Sequence, residues 1–173
     1  MTNVSFPEEI RTQACLRMQE NRDKILKCLS SFDDATIWHR SNTNSLAIGN
    51  QLLHLCGNIT QYILSGLAGA VDERKRDQEF SATEGWSKAD LTTRFNDVID
   101  RAIVAIRMAS DEDLLRYRTV QGFHLSGVGM VLHVVEHMSY HTGQIVAWTK
   151  QRENRPMGFY DGIDLNTRNE KDS

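Results

Sequence analysis

Proline is nearly absent from this chain, with two in 173 residues, and no run alternates in the manner of a sandwich or barrel strand. A mostly helical protein is the economical expectation. Cysteine is also scarce. Cys15, Cys28 and Cys56 are odd in number and lack C-x-x-C spacing, which favours a reduced, cytoplasmic setting over a disulfide framework. Each lies in a helical pattern, where a free thiol behaves as a small hydrophobe. No stretch reaches 18 consecutive apolar residues, so no membrane span is expected. Residues 1–9 carry neither a basic nor an apolar signal region, so no signal peptide is expected. With a net charge of −3 and no face clustering Lys and Arg, the chain has no footprint for nucleic acid.

The length suits one domain with a proper core. Ser5-Phe-Pro-Glu8 is a helix-start pattern with proline in the first turn. Ile10, Ala14, Met18, Ile25 and Leu29 follow as an apolar stripe, ending near Ser30-Ser31. A second helix is expected from an N-cap at about Asn44 to the glycines at 66–69. No charged residue occurs between Ser41 and Val71, and a helix without charge on any face is usually enclosed on most sides. Residues 72–85 read as a solvated charged loop. Ser87 and Asp90 form a capping-box pattern for a third helix over 87–109, with Leu91, Phe95, Val98, Ala102 and Ile106 inward. Residues 114–123 read as an extended link and not a sheet. The fourth helix is expected from Ser126 to about Lys150, where Glu136 is the only formal charge between Phe123 and Trp148. The expected organisation is a four-helix bundle over residues 1–152 and a polar C-terminal tail over 153–173.

What the chain does have is a histidine ladder. His133, His137 and His141 are three of its six histidines and stand four residues apart on the fourth helix. Each step advances about 6 Å and about 400°, so neighbouring rungs can converge on one ion while the outer pair, about 12 Å apart in rise, cannot easily share it. His54 lies on the other charge-poor helix. Buried imidazoles need partners, and a His from one helix with a His-x-x-x-His clamp from another gives three nitrogen ligands with a coordination position open. Spacing leaves the choice of rungs open: His137 belongs to either pair. Glu136 lies three residues after His133 and is a candidate partner for it, while Gln144 and Asn58 are candidates to orient a ligand ring. His39 and His124 lie near helix ends, where capping or surface roles are the default.

The segments Asn44-Ser…His54-Leu-Cys-Gly-Asn58 and His137-Met-Ser-Tyr-His141-Thr-Gly-Gln144, with Trp38-His-Arg40 before them, resemble the DinB-like superfamily of metal-binding four-helix bundles, and more narrowly an uncharacterised branch of it. The match runs over roughly residues 30–150. The resemblance implies an all-α, DinB-like four-helix bundle in an up-down arrangement, with a divalent metal held by His54, His137 and His141 between the second and fourth helices. It also implies homodimers as a common state. Relatives in the superfamily include YfiT-like bacillithiol transferases and the mycothiol-dependent maleylpyruvate isomerase, and others are described only as metal-dependent hydrolases. The resulting expectation is a cytoplasmic enzyme that uses Zn or Ni to activate a low-molecular-weight thiol or water toward a small-molecule substrate. Its rival is a non-catalytic dimeric helical module with a structural metal or none.

Overall fold

The structure, a computed structural model, describes residues 4–169; the first three residues and the last four of the expected tail lie outside the described residues. Helix α1 (Phe6–Leu29) starts where Ser5 Oγ accepts the Glu8 backbone N–H at 3.4 Å, and buries Ala14, Met18, Ile25 and Leu29 as its apolar stripe predicts. The single turn Thr36–Trp38 then carries the chain to α2 (Ile48–Ile59). That helix starts at Ile48, not beside Asn44, because Asn42 and Ser45 close their own turn: Asn42 Oδ1 accepts from Asn44 N and Ser45 Oγ from Asn42 N. The capping is done from inside the helix, where Asn50 Oδ1 accepts the Ala47 N–H at 3.2 Å. From Ile48 to Ile59 every residue except Gly57 is buried, as the missing charges require. The helix continues as a π segment over Thr60–Leu67.

The stretch expected to be a solvated loop is a strap with a short helix, α3 (Arg76–Ser81), that turns two of its charges inward. Glu79 is 8% exposed, and the Arg74 side chain is 3% exposed. The reason is local. Asn50 donates through Nδ2 to the carbonyls of Glu79 (3.0 Å) and Ala82 (2.7 Å), and Arg40 donates to that of Phe80 (2.9 Å), so the strap is pinned against α2. Helix α4 (Lys88–Met108) begins with the expected Ser87–Asp90 capping box and buries its predicted stripe.

After a short α5 (Asp111–Leu115), strands β1 (Tyr117–Val120) and β2 (Phe123–Ser126) pair antiparallel, with Tyr117 opposite Ser126 and Val120 opposite Phe123. The expectation of a link without a sheet is therefore corrected. Gln121 and Gly122 both adopt positive φ (53° and 83°), the two-residue turn whose twist matches a hairpin. Helix α6 (Gly127–Glu153) is capped by Ser126 Oγ and ends at Asn154 in the left-handed region, one turn past the expected Lys150. The polar tail is not wholly free of the body. Met157 is buried, and Lys27 Nζ donates to the Gly158 carbonyl at 2.9 Å.

The chain is thus mostly helical. Helix α1 packs on α4 and α6, and α2 with its π continuation packs on the other sides of both, around one apolar core that includes Met18, Ile25, Leu52, Phe95, Ile99, Val134 and Met138. Among the described residues no helix is long and apolar enough to cross a membrane.

Candidate metal centre

Helix α2 carries no charge and α6 only Glu136 before its last turn, and where the two face each other three imidazoles meet. One nitrogen from each of His54, His137 and His141 lies within 4.8 Å of the other two. The ring centroids are 5.0 Å (His54–His137), 5.1 Å (His54–His141) and 4.7 Å (His137–His141) apart, and the rings stand edge-on to one another at 69–78°. Rings that stack would point their lone pairs in parallel; rings set edge-on can aim them at a common point. His54 Nε2 and His137 Nε2 are 2.9 Å apart.

The outer nitrogens explain why the inner ones turn inward. Two groups face His54 Nδ1: Glu79 Oε2 at 3.0 Å, which as an ionised carboxylate only accepts, and Arg74 Nη2 at 3.2 Å, which only donates and already donates to Glu79 Oε2 at 2.8 Å. The closer carboxylate favours the proton on Nδ1, which leaves the lone pair on Nε2. Burial alone would raise the Glu79 carboxyl, but hydrogen bonds from Arg74 and His54 outweigh it and hold it below the usual range. Arg74 grips that carboxylate with a two-pronged fork, Nε to Oε1 and Nη2 to Oε2, both at 2.8 Å. Its Nη1 donates to Gln61 Oε1 at 2.8 Å, and Gln61 in turn donates to Asp72 Oδ2 at 2.7 Å. Gly57 makes room for this group, because a Cβ there would run into the Glu79 carboxylate and lie 2.9 Å from Arg74 Nε. On the other side His141 Nδ1 donates to Gln51 Oε1 at 3.3 Å. Phe80 closes over His54, with ring centroids 4.8 Å apart.

His54 and His141 are buried, at 6% and 5% exposure, and His137 is half-buried. Burial, then the neighbouring rings of His141, His54 and His133, pushes the His137 imidazole down to about 3; burial, then His54, pushes His141 down to about 4. Both rings are neutral at physiological pH, the form in which imidazole binds a metal. The donor set fits a divalent cation. At nitrogen–metal distances of about 2.0–2.1 Å, two ligands sit about 3 Å apart, which is the spacing between His54 and His137. The structure brings together the three residues expected to hold the ion.

It does not bring in His133. That ring stacks on Tyr62 (4.1 Å) and on His137 (5.5 Å), and Asn58 Nδ2 donates to its Nε2 at 3.2 Å. Asn58, not the exposed Glu136, is therefore its hydrogen-bond partner, and Asn58 orients no ring of the three-histidine group. Asn58 Oδ1 is buried without a partner among the described residues. Gln144, though exposed, contributes a side-chain hydrogen bond to His141 as expected, and Gln51 adds a second partner on that ring's Nδ1. Sequence reasoning missed Gln51, Arg74 and Glu79. The available signal was Gly57, a glycine one turn past His54 in an enclosed helix, which marks close approach by another chain segment. The cysteines are free and buried, and burial pushes Cys56 up to about 12, so none is a ready nucleophile.

A family model, "Protein of unknown function (DUF1572)", matches residues 6–157, nearly the whole described chain. The chain belongs to the DUF1572 family. All three histidines, the strap and Gln51 lie inside the matched region. This DUF1572 member also shares its fold with the crystal structure of a DinB-like protein, YjoA, from Bacillus subtilis: the TM-score is 0.61 at 14% identity, covering 82% of this chain and 92% of that one. The DinB-like fold is thereby shown. No protein of curated function matches the chain.

Proposed function

We propose that this DUF1572 protein is a divalent-metal-dependent enzyme that activates a thiol or a water at His54, His137 and His141, acting as a small-thiol S-transferase or a hydrolase. The observation that carries the reading is the convergence of three imidazoles, two of them with an outer nitrogen engaged by Glu79 or Gln51. A closed structural site would supply a fourth protein ligand, and among the described residues none joins these three. A divalent cation there supplies Lewis acidity that lowers the pKa of a bound thiol or water toward neutrality. Zn and Ni suit three imidazoles, and Zn is the default for a low-coordinate nitrogen site.

The protein's own contribution is orientation and exclusion of water. Glu79 and Gln51 fix two ring tautomers, and Phe80 covers the α2 side. A cavity of about 370 Å³, lined by Thr36, His39, Ser41, Trp148, Gln151 and Arg152, lies toward the C-terminal end of α6 and includes none of the three histidines. Trp148 is seven residues after His141, about 10 Å along the helix. That cavity is of a size to take the non-reacting part of a small molecule. Buried free thiols agree with a reducing, cytoplasmic setting, and a homodimer is the assembly proposed.

Elemental analysis of protein loaded with Zn or Ni should give one ion per chain, and His137→Ala should lose it while remaining folded. Transfer of small thiols to a general electrophile, or hydrolysis of an activated ester, should then depend on metal and vanish in His141→Ala. If no loading condition yields a bound ion, both the thiol and the hydrolytic readings fail.

A further inference from the structure

Three motif residues have no part in ligation itself, yet all converge on one point. Arg40 Nη2 donates to Asn50 Oδ1 at 3.0 Å and to the Phe80 carbonyl at 2.9 Å; Asn50 Nδ2 donates to the Glu79 and Ala82 carbonyls; Gly57 leaves the space that the Glu79 carboxylate occupies. Arg74, on the same strap, closes the fork on that carboxylate. Each contact is buried or partly buried, and together they fix the strap backbone at 79–82 and the Glu79 side chain independently. Three side chains of the strap reach His54: Phe80 covers its ring, Arg74 Nη2 lies 3.2 Å from Nδ1, and Glu79 Oε2, at 3.0 Å, is the one acceptor at that nitrogen.

We propose that Glu79 is a positioning residue, delivered by the strap to hold His54 as its Nδ1–H tautomer with Nε2 facing His137 and His141. The inference rests on the metal-site reading for its consequence, but the tautomer itself is a property of the metal-free protein. Without an acceptor at Nδ1, a neutral imidazole divides its proton between the two nitrogens, and molecules carrying it on Nε2 cannot ligate through that atom. Carboxylate partners of this kind typically change metal affinity 10- to 100-fold when removed. Gln51 plays the matching part for His141 with a neutral amide, so the two rings differ in how firmly they are held. Both Glu79 oxygens are engaged by Arg74 and His54, and Glu79 is not one of the three residues whose ligand atoms converge.

The test compares wild type with Glu79→Gln, which keeps the side chain's shape and one acceptor for Arg74. Nitrogen-15 correlation spectra of the histidine rings in metal-free wild type should show His54 protonated at Nδ1. In Glu79→Gln that resonance pattern should move toward a mixture or toward Nε2–H, with the other rings unchanged. Competition against a chromophoric chelator should show Zn affinity lowered by roughly tenfold or more in Glu79→Gln. A metal-free wild type whose His54 carries its proton on Nε2 overturns the inference, whatever the variant does. So does a Glu79→Gln protein with unchanged tautomer and unchanged affinity. If wild type binds no Zn while its His54 tautomer is as stated and shifts in the variant, the metal reading fails and the positioning role stands.

Discussion

Alanine at position 57 is a sharp probe of the arrangement, because two effects of opposite sign compete there. Gly57 lies inside α2, where replacing glycine by alanine ordinarily stabilises a helix by about 1 kcal/mol. Here the added Cβ would overlap the Glu79 carboxylate, with its carboxyl carbon 2.7 Å and Arg74 Nε 2.9 Å away. Forcing a group into a filled interior costs about 1–3 kcal/mol. If the strap stays while its charges separate, uncoupling a buried ion pair adds about 3–5 kcal/mol. The strap can relieve part of this by swinging outward into water, so the expected net loss is about 2–4 kcal/mol, a fall in Tm of about 5–15 °C for a domain of this size. Gly143 serves as the control. It is exposed within α6, and a Cβ there meets nothing within 4 Å, so Gly143→Ala should raise Tm by a few degrees. Thermal unfolding of the metal-free proteins, followed by circular dichroism at 222 nm, measures both. A Gly57→Ala protein as stable as Gly143→Ala would refute the reasoning, since the strap would then not be seated against α2.

Other outcomes follow from the same geometry. Glu79→Leu alone should cost about 3–5 kcal/mol in urea unfolding because it strands the buried Arg74, whereas Arg74→Met combined with Glu79→Leu should return to within about 1 kcal/mol of wild type. In metal-free protein, His137 and His141 resist protonation down to about 3 and about 4, while the unfolded chain takes up those protons near pH 6.5. Their contribution to stability is therefore complete above about pH 6.5 and declines as pH falls toward 4, which Tm measured at pH 7.0, 5.5 and 4.5 checks, with a shallower slope expected for His137→Gln. The three thiols should react with an aromatic disulfide reagent only on unfolding, given that Cys15, Cys28 and Cys56 are each 1% exposed or less.

The amphipathic helices were legible because their information is local. The stripes of α1 and α4, the Ser87–Asp90 box and the Ser126 cap rest on spacings within one or two turns. The enclosure of α2 followed from a negative feature, the missing charges, and the convergence of His54 with two rungs of the ladder followed from helix geometry together with the family resemblance. What could not be read was long-range. Whether Asp72–Gly85 faces water depends on Arg40 and Asn50, some thirty residues earlier in the case of Asn50, and on hydrogen bonds to its carbonyls that no charge pattern announces. A run rich in Asp, Glu, Arg and Lys is usually a solvated face, and that base expectation hid the two charges that turn inward. The hairpin was missed for a different reason. Gln121 is not a common residue at positive φ, so the turn signal had only Gly122 to show.

The buried Arg74–Glu79 pair raises the question of why the chain keeps two charges where an apolar contact would serve. Stability does not answer it. Removing two ions from water costs several kcal/mol each, and their attraction repays this only with near-ideal geometry and complete hydrogen bonding, so an apolar pair of similar volume is commonly as stable or more so. An apolar pair has no acceptor for His54 Nδ1, however, and the double variant that restores stability should leave that ring free to carry its proton on either nitrogen. Helix α2 carries no charge, and among the charged side chains of α6 none contacts His54, so neither helix offers a carboxylate to orient that ring. The carboxylate must then come from elsewhere, and a strap between α2 and α4 can deliver it edge-on to the ring without placing a negative charge among the three inner nitrogens. Arg74 completes the arrangement by balancing that charge where Glu79 enters, so the pair contributes to the orientation of one imidazole more than to the folding of the chain.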